Sequence, residues 1–211
     1  MKRSDWLTGA VLGAVLAAGG ITAAMAADDE PPSSGSRADG VPPSTSADAG
    51  FARDMSVHHQ QAVEMSYVVR DRTKNEEIRR LAYDIAQTQA NQRGMMLGWL
   101  DLWALPKVSE DAPMKWMGMG DAPAGDDGAL MPGMATNAQM KRLAKLNGRK
   151  AEIYYLRLMT AHHKGGIHMA RGCVERCAVP VERRLAQGMV ESQESEVKLM
   201  ADLLKARDAK P

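Results

Sequence analysis

The sequence predicts an all-helical protein, a four-helix bundle made of two duplicated helical hairpins. Three observations carry this expectation. Apolar residues recur at spacings of three and four on both sides of a central Gly- and Pro-rich segment, which is the period of a helix face. Start and stop signals divide those stretches into four helices: Asn75-Glu76-Glu77, Leu105-Pro106, Thr136-Asn137 and Pro180. The two halves also match one another without a gap at a constant offset of 104 residues.

The elements follow in order. Lys2 and Arg3 precede an apolar run from Trp6 to about Ile21, and Ala24-Met25-Ala26 follows it. This is the charged region, apolar region and cleavage signal of an export leader over residues 1–26. The alternative is an uncleaved membrane anchor, since the run approaches the roughly 20 residues that span a bilayer. On either reading the remainder is extracytoplasmic: secreted, periplasmic or associated with the cell envelope. Residues 27–46 are dominated by Pro, Ser, Gly and Asp and predict a disordered linker.

The first hairpin is expected over 47–105. Phe51, Met55, His58, Ala62, Met65 and Val69 mark one face of its first helix. Asn75 reads as the cap of the second, whose stripe includes Ile78, Leu81, Ile85, Gln89, Met96 and Leu100. Residues 106–136 form a Met-rich crossover. Thr136-Asn137 should cap one long third helix reaching Cys177, and Pro180 should open a fourth ending near Lys205, so that the second hairpin spans 137–208.

The repeat is extensive. Arg53-x-Met55-x-x-His58-His59 falls on Arg157-x-Met159-x-x-His162-His163, Met65 on Met169, and Arg79-Arg80-Leu81-Ala82 on Arg183-Arg184-Leu185-Ala186. Two hairpins with one apolar stripe each can bury those stripes against one another as a bundle with pseudo-twofold symmetry.

Composition narrows the function. The chain has 27 Lys+Arg against 26 Asp+Glu, a balance that gives no reason to expect nucleic acid as a partner. A membrane enters only through the possible anchor. Aromatic residues are 4 % of the chain, with one Phe, whereas Met occurs 16 times, so the core must be aliphatic and rich in Met. Cys173 and Cys177 are the only cysteines. Outside the cytoplasm a disulfide is the leading reading, workable where a helix ends. Two free thiols, or thiols that help bind metal, are the alternatives.

At about 100° per residue, His58 and His59 flank the direction of Met55, with Ala62 and Met65 close to it. Met159, His162, His163, Gly166 and Met169 repeat the arrangement, and Gly165-Gly166 would let a facing helix approach closely. His168 projects from the opposite face. A single Met or His on such a stripe is ordinarily core, but adjacent histidines repeated at the duplicate position would be costly to bury without partners. A metal ion would satisfy them. Imidazole suits Zn, Cu, Fe and Ni, whereas thioether favours Cu(I), so the combination points to copper, as Cu(I) or Cu(II). Met114, Met117, Met119, Met131 and Met134 of the crossover either add flexible thioethers or simply pack on the bundle.

The blocks Phe51-Ala-Arg-Asp-Met55-Ser-Val-His58-His59, Met131-Pro-Gly-Met134 and Leu158-Met159-Thr-Ala-His162-His163-Lys-Gly-Gly-Ile-His-Met169-Ala resemble the domain-of-unknown-function 305 family from about residue 48 to 206. The resemblance implies an exported, ferritin-like helical bundle with relatives that bind copper through Met and His and aid copper resistance. Carried over by position, it indicates Met55, His58, His59, Met65, Met159, His162, His163 and Met169 as metal ligands. The family's Gln-x-x-Glu pattern fits Gln193-x-x-Glu196, but the first hairpin has Gln89-x-x-Gln92. The cysteine pair is not a family feature.

The leading function is thus an extracytoplasmic copper-binding protein for sequestration, transfer or resistance. A metal-free structural or signalling bundle is the alternative. A redox enzyme with iron or non-covalent haem is a further one, disfavoured because the chain has neither Glu-x-x-His nor a C-x-x-C-H haem motif. No nucleophile constellation or phosphate loop is present either, so no enzymatic activity is expected.

Overall fold

The computed structural model describes residues 40–120 and 126–210. The expected leader, and the linker as far as residue 39, lie outside them. Five α-helices and two short 3-10 turns account for the regular structure among the described residues, with no strand: α1 (Ala47–Arg72), α2 (Glu76–Leu102), α3 (Asn137–Lys145), α4 (Gly148–Arg176) and α5 (Pro180–Lys205). No helix among these residues is long and apolar enough to cross a membrane.

Local chemistry sets the boundaries. Ser46 and Asn75 accept hydrogen bonds from the backbone N–H groups of Ala49 and Ile78, each 3.1 Å away, and so start α1 and α2. Thr136 and Gln139 form a reciprocal capping box at α3. Pro180 opens α5 at a position where its missing N–H costs nothing.

The single long third helix does not form. The chain breaks at Leu146 and Asn147, and Gly148 starts α4 at φ +52°. Asn147-Gly148 is a turn dipeptide that outweighs the helical period on either side. The linker expectation is also corrected at its end. Pro42 is buried, and the Arg53 guanidinium donates to the Ser44 carbonyl (2.8 Å) and hydroxyl (2.9 Å), which holds residues 40–46 against α1.

Helix α1 packs on α2, α4 on α5, and α1 on α4, so the α1–α4 seam joins the two helix pairs. Two apolar clusters fill the interior. One holds Met65, Ile78, Ile85, Leu156, Met159 and Leu204, and the other holds Phe51, Met55, Met96, Leu100, Met169 and Met189. The first is closed by a buried polar group. Glu152 accepts from Thr73 (2.5 Å) and from Arg207 (2.8 Å), tying the α1–α2 link to the chain's C-terminal end.

Candidate metal centre

His58, His59, His162 and His163 all lie on the α1–α4 seam and are at most 1 % exposed. The imidazoles of His58 and His162 stack at 3.8 Å between centroids with 32° between planes, and His162 lies 6.4 Å from His163. Met55 and Met65 bracket the pair on α1, Met159 and Met169 bracket it on α4, and all four thioethers are fully buried. Met55 shares an apolar cluster with Met169, and Met65 shares the other with Met159.

The hydrogen bonds of the four rings share one pattern. His59 Nε2 donates to Gln92 Oε1 (2.8 Å) and His163 Nε2 donates to Glu196 Oε2 (2.6 Å), each across 33 residues of sequence. His162 Nε2 donates to the His58 carbonyl (3.0 Å), and His58 Nε2 donates to the Pro132 carbonyl (3.3 Å). Every partner is an oxygen acceptor, so each Nε2 carries a proton. A neutral imidazole then presents an unprotonated lone pair at Nδ1. All four Nδ1 atoms are buried without a partner.

Neutrality is built in at His58, His59 and His162. Burial, reinforced by the other imidazoles, lowers His58 from 6.5 to about 3. Burial lowers His59 to about 4 against the opposing hydrogen bond to Gln92. His162 is pushed well below its ordinary value, chiefly by burial and then by His58. A carboxylate or amide oxygen behind a ring N–H is the arrangement that orients and enriches imidazole ligands in metal proteins. The four imidazoles are clustered but do not close on one point. Among the described residues, the only three His, Cys or acidic side chains with ligand atoms within 4.8 Å of one another are Cys173, Cys177 and Glu182.

The crossover supplies an acceptor that the sequence did not reveal. Met131-Pro132-Gly133-Met134 folds with Met134 N–H on the Met131 carbonyl (3.1 Å) and Gly133 at φ +81°, as in a type II turn with Pro and Gly at its centre. It seats on α4, where a Cβ on Gly165 would stand 1.9 Å from the Pro132 carbonyl oxygen. Gly165 therefore admits the crossover backbone rather than a facing helix, while Gly166 makes room for the Gln193 side chain of α5. Gln61 pairs with Ala135 through both backbone groups (2.7 and 2.8 Å), and Asp54 accepts from Met114 N–H (2.8 Å) and Trp116 Nε1 (2.9 Å). Pinned in this way, the crossover methionines pack on the helices: Met114 and Met131 are buried, and Met117, Met119 and Met134 are half-buried against the same core. Cys173 and Cys177 are joined as a disulfide. His168 is exposed and outside the cluster.

The fold and site together define an all-helical protein with paired imidazoles buried between two helix pairs. The chain belongs to the family described as Domain of unknown function (DUF305), which it matches over residues 48–204. It is similar to the DUF305 protein of Streptomyces coelicolor, with 74 % identity, 80 % of this chain and 98 % of that one covered, and a TM-score of 0.75. A DUF305 fragment from Deinococcus radiodurans is 29 % identical, over 78 % of this chain and 99 % of that one, with a TM-score of 0.64. CopM in its Cu(I)-bound form is 20 % identical, over 75 % of this chain and 96 % of that one, with a TM-score of 0.57, a likeness of fold. Comparison with curated proteins found no match.

Proposed function

We propose that this protein binds copper outside the cytoplasm, through the histidines and methionines of the α1–α4 seam, for sequestration, transfer or resistance. The observation that carries the reading is the set of four buried Nδ1 atoms with no partner. A buried polar atom left unsatisfied costs about 1–3 kcal/mol, and metal ligation is the chemistry that these rings, already protonated at Nε2, are set up to perform. Met55, Met65, Met159 and Met169 add neutral soft donors that need no deprotonation and favour Cu(I). Copper here is cargo rather than a catalytic centre, and no catalytic step is part of the reading. CopM, a protein of the same fold, has been crystallised with Cu(I), Cu(II) and Ag, which agrees with soft-metal binding in this architecture.

The architecture behind this reading is a four-helix bundle of two duplicated, ferritin-like hairpins, α1–α2 and α4–α5, with α3 appended. Its support is the gapless offset of 104 in the sequence, together with the two ring-to-oxygen bonds from His59 and His163 that obey the same offset. Placement beyond the cytoplasm rests on the reading of Lys2-Arg3, the apolar run from Trp6 and Ala24-Met25-Ala26 as an export leader or anchor.

The test is a titration of the full chain with Cu(I) against a chromogenic chelator, with ascorbate as reductant so that the disulfide stays intact. The expected outcome is tight, saturable withdrawal of copper by the native chain, lost when His58, His59, His162 and His163 are all replaced by Gln. A folded native chain that fails to compete would overturn the copper reading and leave a metal-free bundle.

A further inference from the structure

The disulfide end of α4 holds a second set of ligand-type side chains, remote in sequence from the histidines. Cys173 lies in the last turn of α4, Cys177 caps it, and Glu182 stands in the first turn of α5. Their ligand atoms lie within 4.8 Å of one another, and the residues are 0 %, 3 % and 0 % exposed. Neither carboxyl oxygen of Glu182 receives a hydrogen bond from an N–H or hydroxyl group, and its near polar neighbour is the carboxyl of Asp48, with which the protonated acid shares a hydrogen bond and which is itself buried in the first turn of α1. Asp48 accepts from Val179 N–H at 2.7 Å, and no ion pair reaches either acid among the described residues.

The equivalent place in the other half is ordinary. At the offset of 104, Cys173, Cys177 and Glu182 correspond to Val69, Thr73 and Ile78. Val69 and Ile78 are fully buried core residues, and Thr73 donates to Glu152, the counterpart of Asp48. Glu152 has a cation, Arg207, at 2.8 Å. The Asp48 end has two sulfurs and a second carboxyl in place of the apolar pair and the threonine, and no ion pair among the described residues. Burying carboxyl groups without a countercharge is costly.

We infer that in the dithiol form Cys173, Cys177 and Glu182 are a second metal site, for a thiophilic divalent cation of the Zn²⁺ type. Two thiolates and one carboxylate are a three-protein-ligand set that leaves one tetrahedral position open. The carboxylate favours a divalent ion over Cu(I), which is satisfied by soft donors alone. Reduction of the Cys173–Cys177 bond frees both thiols beside Glu182, and the site belongs to that state. A dithiol reductant cleaves the Cys173–Cys177 bond, takes up the two sulfurs' bonding role as its own disulfide, and delivers one hydrogen to each Sγ. When the cation binds, the two thiol protons and the carboxyl proton of Glu182 pass to solvent and three bonds to the metal form. The disulfide and the metal are alternative closures of the same helix end.

The experiment compares the full chain in its oxidised form with the same chain reduced by a dithiol and freed of it without air, each titrated with Zn²⁺ against a chromogenic chelator. The histidines are common to both forms, so their uptake cancels, and a failure of the copper reading would appear separately with Cu(I) on the oxidised chain. The reduced form is expected to take up one further equivalent of Zn²⁺, and bound Zn²⁺ should protect both thiols from alkylation. Glu182→Gln in the reduced form should weaken that extra binding by about tenfold or more. Equal Zn²⁺ uptake in the two redox forms, thiols alkylated equally fast with and without Zn²⁺, or unchanged affinity in Glu182→Gln would each overturn the proposal.

Discussion

Acidification of the metal-free protein from pH 6.5 to 4.5 is expected to remove about 2 kcal/mol or more of its stability, well before any carboxylate-driven unfolding. The sign follows from the buried histidines. In the unfolded chain they take up protons as the pH falls through about 6.5, whereas in the folded chain His58 and His59 resist until about 3 and 4. Their stabilisation is complete above the unfolded value and is lost as the pH falls towards the folded one. Between pH 6.5 and 4.5 these two residues together account for about 4 kcal/mol. His162, lowered for the same reason, acts in the same direction. Glu182 acts against them. Burial and the neighbouring Asp48 raise it to about 9, so it destabilises the fold at neutral pH and relents by about 2 kcal/mol over this interval. The net effect remains a loss, and urea unfolding at the two pH values measures it. Stability that is flat or rising on acidification would show that the imidazoles are not held neutral in the fold.

The second large effect is steric. Gly165→Ala should lower stability by about 3 kcal/mol, because the new Cβ would meet the Pro132 carbonyl oxygen at 1.9 Å and backbone has little room to yield. For a chain of this size that is a fall of roughly 10 °C in Tm. The same displacement would break the hydrogen bond from His58 Nε2 to Pro132, so binding at the histidines should weaken as well. Gly188→Ala is the control. It sits exposed in α5 with nothing within 4 Å of the added carbon, and should stabilise by about 1 kcal/mol. Equal Tm values for native chain and Gly165→Ala would mean that the crossover is not seated as described.

Much of this was legible in the sequence, for identifiable reasons. The helix faces follow from the 3.6-residue period, and the Asn75, Thr136 and Pro180 start signals act through the chain immediately beside them, whereas the Ser46 cap was hidden in a segment that reads as linker. Angular arithmetic sufficed to bury His58, His59, His162 and His163 with their flanking methionines, because a helix fixes the direction of every side chain. The break before Gly148 was missed where two amphipathic stretches abut and the Asn-Gly pair was the only interruption. Gln92 and Glu196 sit at the matching offset but announce no partner until the second helix of each pair is docked. Pro132 could not be found at all, since it acts through a carbonyl that any residue carries. For the crossover methionines the sequence left donor and packing roles equally open, because a loop hides what it packs on. Glu182 reads in sequence as an ordinary acidic residue complementing a helix N-terminus, and only its burial beside Asp48 and the cysteines distinguishes it.

The most direct measurement of the central claim is X-ray absorption at the copper edge of the full chain loaded with Cu(I), its disulfide left oxidised. The expected spectrum contains imidazole scattering together with a sulfur shell. With both cysteines in the disulfide, that sulfur must come from methionine, and the imidazole signal should vanish in the chain lacking the four histidines. A copper environment of oxygen donors alone, or one unaltered by loss of those histidines, would contradict the assignment of the α1–α4 seam as the copper site.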